Sequence, residues 1–475
     1  MKLFLTALIV LTTFNFSVGQ DIDNSIQLSG KADFLKENDS VTLIVNKYGL
    51  LNEERSFRAT LTAVAHDHKF NFSWHPTTFP QYVTLQFNKH RNSSSIFYYH
   101  AQSGDQIKLI YENGKLHISE KLDSSFKVQN GLCEIENHYN RKYRLPEFNA
   151  SNLQRRFFVY DSIANEKILY LKSFHEKLTP QMFGFLIADI YSKSNSSKYY
   201  DLYWVNAKNL NEVDSIKRAF LDYQIKHPEP SISATNLKYY PYSYMEYILK
   251  RYYADSCLFQ NKNFDLISCL DYLMENYRGV LLEQLVTSAI CENAVYPNGL
   301  ANEIKKALTF VKTTSYVNFL ERTLKDRVEG ARAFDFALLN LKGKTIRLSN
   351  YDHQLILLDF WFTGCGNCRV LTPFLEKLEK NFHGKPVKFL SINIDKEKSQ
   401  WIKSTQTRIY TTQYGINLFA EGNVQRESII NHYQVHGCPT LILITKNGNI
   451  VNIKTDPRLD NGVELTKQIN YYFDN

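Results

Sequence analysis

Long apolar runs are missing from the body of this chain. Beyond residue 16, no stretch of the 475 residues approaches eighteen apolar side chains, so no membrane-spanning helix is expected there. Cysteine is scarce: seven occur, at 133, 257, 269, 291, 365, 368 and 438. That number is odd, and the density is far below that of a disulfide-stapled scaffold. Basic clusters are missing too. With no run of five basic residues, the formal charge of +8 reads as a mildly positive surface, and no nucleic-acid partner is expected. No repeat of fixed period is visible, which argues against a solenoid. Aromatics, by contrast, are plentiful. Tyr and Phe number 31 each in a chain that is 44% hydrophobic and 22% charged. Such a composition builds packed cores rather than disorder, and the length suits about three domains.

Residues 1–19 have the layout of a secretory leader. Lys2 gives the positive start, Leu3 to Phe16 the apolar stretch, and Ser17-Val18-Gly19 the small residues before a cleavage point at Gln20. The apolar stretch is short for a membrane span, so an N-terminal anchor is the lesser alternative. No cysteine follows it, so lipid attachment is not expected. The expected product is exported and soluble, in a compartment where disulfides persist.

Three regions follow, and a multidomain protein is expected. Residues 20–125 read as a β-sandwich-like domain: Ser25–Leu28, Val41–Val45, Lys69–Trp74, Tyr82–Phe87 and Gln106–Tyr111 alternate apolar with polar, with turn signals at Ser103-Gly104-Asp105 and Glu112-Asn113-Gly114-Lys115. Residues 126–330 read as helical. Apolar positions recur at three and four spacing over Leu153–Lys177, Thr179–Lys193, Val213–Lys226, Ser243–Tyr253, Phe264–Tyr277, Gly279–Cys291 and Leu300–Asp326. Neither region shows titratable residues at catalytic spacing. The four cysteines before residue 330 have no motif spacing and read as buried, inert thiols; a Cys257–Cys269 or Cys269–Cys291 bridge is the alternative. Residues 331–475 read as α/β. A hairpin (Phe334–Leu339, Thr345–Leu348) precedes the continuous apolar run Leu355–Phe362, which suits a strand buried on both faces. An amphipathic helix at Arg369–Phe382, a strand at Val387–Ile394, a short helix at Trp401–Gln406, a hairpin of Thr440–Ile444 with Ile450–Ile453 and a closing helix at Val463–Phe473 complete it.

The chemistry lies in this last region. Cys365-Gly366-Asn367-Cys368 stands where the apolar strand gives way to the helix. Thiolates, not thiols, attack disulfides, and the open N–H groups of a first helical turn stabilise a thiolate. Gly364 and Gly366 let the backbone turn and keep the sulfur accessible. Cys365 is therefore the expected attacking thiolate. Cys368, one turn on and deeper, is the expected resolving thiol. Asp359, six residues earlier inside the apolar strand, is expected to be buried with a raised pKa, and to take the Cys368 proton through a water. Sixty-five residues after Cys368 begins Tyr433-x-Val435-x-Gly437-Cys438-Pro439-Thr440. Pro439, just before a strand, is expected to be cis, presenting the backbone of Cys438 to an extended substrate segment. Pro373 falls inside the helix and is expected to kink it.

These residues resemble the thioredoxin superfamily and, within it, the TlpA/ResA-like thiol–disulfide oxidoreductases of the bacterial envelope. The resemblance rests on Asp359-Phe360-Trp361, Cys365-x-x-Cys368, Pro373 and the Tyr433-to-Thr440 motif. The preceding hairpin, and a central insertion between Ile394 and Tyr433, look like the same subgroup; the β-then-helical front half looks like multidomain envelope proteins of Bacteroidota. The resemblance implies a thioredoxin-like fold, catalysis by Cys365, Cys368 and Asp359, and substrate contact by Trp361, Cys438 and Pro439. It implies no cofactor, cysteine-containing envelope proteins as substrates, a membrane-bound electron donor, and reduction of apocytochrome c thiols as one role. There are three departures. Gly364 stands where Trp usually precedes the first cysteine, which removes an aromatic wall. Asn367 replaces a common Pro. Cys438 stands where Thr or Val is usual, as a bystander or as a third redox thiol.

Rival readings are weaker. Cys365-x2-Cys368 with His432-x3-His436 has zinc-ligand types, but more than sixty residues separate the pairs, where a finger has about a dozen. No metal is expected. A peroxidase would need a lone peroxidatic cysteine, not a CxxC. A pure interaction protein would leave the cysteine pair and Asp359 unexplained.

Overall fold

A computed structural model of the chain describes residues 25–47, 57–76, 81–87, 99–113, 115–118, 124–207, 212–229, 237–260, 264–292, 299–433, 435, 437–453 and 456–474. The leader-like stretch and Gly114 lie outside them. Among the described residues no helix is long and apolar enough to cross a membrane.

The first strands are β1 (Ile26–Ala32), β2 (Ser40–Asn46), β3 (Arg58–Val64), β4 (Lys69–Trp74), β5 (Gln81–Phe87), β6 (Tyr99–Ala101), β7 (Gln106–Glu112) and β8 (Lys115–Ile118). They form two four-stranded sheets, β4-β1-β7-β8 and β3-β2-β5-β6. Alternation does the work here. Phe70, Phe72 and Trp74 of β4 turn inward while their neighbours face solvent, and they share one core with Leu28, Leu43 and Leu85. Strand β3 was not legible in the sequence pattern: its residues are half-buried or exposed.

Nine helices follow among the described residues: α1 (Ser124–Lys142), α2 (Leu153–Lys172), α3 (Pro180–Ala207), α4 (Val213–Lys226), α5 (Tyr242–Tyr253), α6 (Leu266–Asn276), α7 (Gly279–Glu292), α8 (Leu300–Phe310) and α9 (Thr314–Asp326). Helix α1 lies before the first helix expected, at Leu153, and two others differ from expectation. The polar run Ser192 to Ser197 does not stop α3, because Ser192, Ser194, Asn195 and Ser196 are buried. The Ser194 hydroxyl donates to Asp161 (2.9 Å) and Lys250 donates to Ser196 (3.1 Å), so tertiary contacts override the weak helix propensity. The single helix expected over Leu300–Asp326 is instead two. Val311 turns extended and buries its side chain, and the Thr313 N–H donates to Glu283 across from α7 (2.9 Å).

The last region opens with β9 (Ala337–Asn340) and β10 (Thr345–Arg347). It continues through β11 (Leu355–Trp361), α10 (Gly366–Phe382), β12 (Val387–Asn393), α11 (Lys398–Thr407), β13 (Ile416–Phe419), α12 (Gly422–His432), β14 (Thr440–Ile444), β15 (Ile450–Val451), α13 (Pro457–Asp460) and α14 (Val463–Asp474). Its seven strands run β10-β9-β13-β12-β11-β14-β15. The stretch between Ile394 and Tyr433 is thus no mere excursion: β13 pairs parallel with β12 and joins the hairpin to the sheet. Central β11 is apolar at every position but Asp359 because both faces are covered. Ile356, Leu358 and Phe360 enter one cluster with Leu390 and Ile442. Leu355 and Leu357 enter the other with Leu371, Leu375 and Leu378 of α10. Each such leucine contributes roughly 1.5–3 kcal/mol by burial. Helix α10 runs on through Pro373.

The joint between the helices and this sheet is itself paired. Gly330 N–H donates to Ile450 O (2.9 Å), Ile450 N–H to Ala331 O (2.8 Å) and Ala333 N–H to Gly448 O (2.9 Å). Arg327, buried just past α9, donates its Nε–H to Tyr433 O (3.1 Å).

Candidate active site

Strand β11 delivers the site. Its last pairs set Phe360 opposite Thr440 of β14 and Trp361 opposite Asn393 of β12, so three chain segments meet where the strand ends. Asp395, just past β12, holds the departing chain. Its carboxylate accepts from Thr363 N–H (3.0 Å), Thr363 Oγ1–H (2.5 Å) and Asn393 Nδ2–H (3.0 Å), and Ser404 Oγ lies 2.7 Å from Thr363 Oγ1. The sequence reading missed this lock; Asn393 and Asp395 carry chemistry only once the fold brings Thr363 to them. Asp395→Ala is expected to destabilise the protein by about 3 kcal/mol, since it strips charge-assisted bonds from buried donors. Thermal unfolding of the full chain measures this, and an unchanged midpoint would remove Asp395 from that role.

Gly364 has φ +94° with open space beside it, a backbone that glycine adopts and a side chain resists. Its N–H donates to Tyr410 Oη (3.1 Å), and the Tyr410 ring stacks on Trp361 with centroids 5.3 Å apart. The aromatic wall thought lost with the Trp-to-Gly departure is therefore supplied by Tyr410, from the loop after α11.

Cys365 caps the N-terminus of α10, and its sulfur accepts the Cys368 N–H at 3.0 Å. The two cysteines are bridged, with Cα atoms 5.3 Å apart. Exposure does not separate them as expected: Cys365 is 4% and Cys368 3% exposed. What separates them is the helix N-terminus, which favours negative charge at Cys365. The Cys438–Pro439 bond is cis, and Cys438 O lies 3.5 Å from Cys365 Sγ.

Asp359 shares its face of β11 with Leu355 and Leu357, beneath α10. Its Oδ1 is cut off from solvent with no hydrogen-bond partner, although the residue keeps a narrow opening. That opening is a crevice lined by Asp359, Thr372, Ser391, Tyr410 and Thr412, and Thr372 Oγ1–H donates to Cys368 O (3.0 Å). Burial raises the Asp359 pKa from its ordinary 3.8 to about 7.

One expected site residue is misplaced. Trp361, proposed for substrate contact, is fully buried, stacked between Tyr410 and the core, so it shapes the site from beneath. Elsewhere, Cys269 is a buried thiol, which rules out both bridges considered for it. Burial pushes the Cys269 thiol up to about 12 and raises that of Cys133, as suits inert thiols. His432 stacks on Phe334, ring centroids 3.9 Å apart, with Nδ1 3.0 Å from Ser428 O; His436 lies outside the described residues.

Residues 352–450 match the family model described as Thioredoxin-like. The thiol-disulfide oxidoreductase ResA of Geobacillus kaustophilus is 29% identical over 157 residues, covering 33% of this chain and 86% of that protein. The ResA of Geobacillus thermodenitrificans is 30% identical over 142 residues, covering 30% of this chain and 77% of its own length. Among solved structures, the thioredoxin domain of a thiol-disulfide oxidoreductase from Bacteroides vulgatus is 24% identical, covers 31% of this chain and 98% of that one, and superposes with a TM-score of 0.28. On the extent of the match to the ResA of Geobacillus thermodenitrificans, the chain belongs to the thioredoxin superfamily and, within it, to the ResA-like thiol–disulfide oxidoreductases.

Proposed function

We propose that the protein is an exported reductase of protein disulfides, acting in the cell envelope through Cys365 and Cys368. The observation that carries this reading is the Cys365 sulfur at the start of α10, accepting a backbone N–H, with a buried carboxyl held near neutrality beneath the same helix. The Cys365 thiolate attacks a substrate disulfide, and the Cys368 thiolate attacks the resulting mixed disulfide. Asp359 takes the Cys368 proton through water in the crevice. The Cys438 backbone beside the pair lets an extended substrate segment align.

The buried carboxyl of Asp359 supports the reducing direction. A pair turns oxidising when its thiolate is strongly stabilised. Here a neighbouring carboxyl that ionises near neutrality opposes thiolate charge, which favours the disulfide product and hence electron donation. Electrons must be resupplied, and a membrane-bound donor suits an exported protein with the leader-like residues 1–19. Cysteine-containing envelope proteins are the substrate class, with apocytochrome c thiols one member of it. The regions 20–125 and 126–330 select the partner or mediate dimerisation.

The test is the reduction potential of the pair. The purified protein is equilibrated with glutathione or dithiothreitol buffers, and free thiols are read by mass-tagged alkylation. A value near about −270 mV is expected, whereas one near about −120 mV would make the protein an oxidant or isomerase.

A further inference from the structure

A third sulfur-bearing residue stands at the redox pair. Cys365 and Cys368 are buried in one apolar cluster with Trp361, Trp401 and Phe419, and Cys438 packs against that cluster half-buried. The backbone of the same residue also reaches the pair: the Cys438 carbonyl oxygen lies 3.5 Å from Cys365 Sγ. Two anchored elements hold it there. Thr440 Oγ1–H donates to Gly437 O (2.7 Å), and β14 is zipped to β11 from Thr440 onward. The three cysteines therefore meet from two separate segments, the start of α10 and the loop before β14. The other described cysteines differ: Cys269 and Cys291 lie buried within the helical core, and Cys133 lies on α1.

We propose that Cys438 is a second resolving thiol, which attacks Cys365 in the mixed disulfide and passes the resulting bridge to Cys368. The proposal rests on Cys365 being the sulfur that substrate engages. In the first exchange the Cys438 thiolate attacks Cys365 Sγ. The Cys365–substrate bond breaks as the Cys365–Cys438 bond forms, and the substrate cysteine leaves as a thiolate that takes up the proton Cys438 gave to solvent. In the second, the Cys368 thiolate attacks Cys365 Sγ. The Cys365–Cys368 bond forms, and Cys438 leaves as a thiolate and is reprotonated. The substrate disulfide is the only oxidant, and two electrons pass from the enzyme to it. A substrate that shields Cys365 from Cys368 is still released, because Cys438 approaches from another segment.

The experiment uses the full-length protein, reduced, freed of reductant and mixed with oxidised glutathione. In Cys368→Ser, glutathione adds to Cys365 and is then expelled, leaving a Cys365–Cys438 bridge that non-reducing peptide mass spectrometry identifies. In Cys368→Ser/Cys438→Ser the adduct persists, with a lifetime longer by about tenfold or more. Cys368→Ser/Cys438→Val, which keeps an apolar side chain against the cluster, behaves the same way and guards against a local packing fault. Equal adduct lifetimes with and without Cys438 overturn the proposal. If Cys368→Ser takes no adduct at all while Cys365→Ser takes one on Cys368, the fault lies earlier: Cys365 is not the attacking thiol, and the proposal falls with that assignment.

Discussion

Replacing Cys365 with serine is expected to reduce disulfide exchange by roughly a thousandfold or more, about 4 kcal/mol on the barrier. Two causes combine. A hydroxyl does not ionise near neutral pH, so the N–H of Cys368 and the start of α10 have no anion to stabilise. Serine also cannot form the mixed disulfide, so the stepwise route is closed. Cys368→Ser should behave differently, because the attacking group survives: it takes up one equivalent of a disulfide substrate, expels it only by way of Cys438, and does not turn over further. Stopped-flow thiol release with a protein disulfide substrate, in single and multiple turnover, separates the two variants. Comparable single-turnover bursts from both would show that the helix N-terminus does not select Cys365.

Asp359→Asn is expected to stabilise the protein and slow it. The carboxyl has an ordinary pKa of 3.8, raised by burial to about 7. Between those values the folded protein keeps a proton that the unfolded chain has released. Stability therefore falls as pH climbs through this window, and the loss is complete above about 7. The separation corresponds to on the order of 4 kcal/mol. Asparagine is neutral throughout, so its advantage over the wild type should widen from pH 5 to pH 8. Thermal unfolding of the two full-length proteins at both pH values reads this directly. A pH-independent difference would mean that Asp359 ionises freely, with no burial penalty. The kinetic side runs the other way. Loss of the proton acceptor should slow the resolving step by about a hundredfold and erase its titration near neutrality. If that titration survived in the variant, Asp359 would not be the acceptor.

How much of this could be read beforehand depended on how local the signal was. The run Leu355–Trp361 announced a strand covered on both faces, because six of its seven side chains are apolar and need apolar neighbours on either side. Cys365 and Cys368 were legible because both partners lie within one helical turn. The cis bond at Pro439 and the burial of Asp359 were also local: one follows from proline before a strand, the other from a carboxylate in an apolar run. What stayed hidden was assembled from distant segments. Tyr410 reaches Gly364 across 46 residues, and Asp395 reaches Thr363 across 32. Trp361 read as an aromatic near the nucleophile, and only the stacking of Tyr410 over it shows that it faces inward. Strand β13 was masked by its brevity, and the second half of α3 by serines, of which Ser194 and Ser196 are held by neighbouring helices.

The paired joint at residues 330–333 bears on how the molecule can be divided. Strand β15 ends the sheet, and its outer N–H and C=O groups would be a template for any passing strand. The segment arriving from α9 occupies that position through Gly330, Ala331 and Ala333. The helical region and the redox region are thus not beads on a slack string, for the string is itself a rung of the sheet. A cut after Ala333 would remove more than a tether: it would leave a raw edge, and the loss of Arg327 would free the backbone of Tyr433, five residues from Cys438. The natural seam lies on the helical side of Arg327.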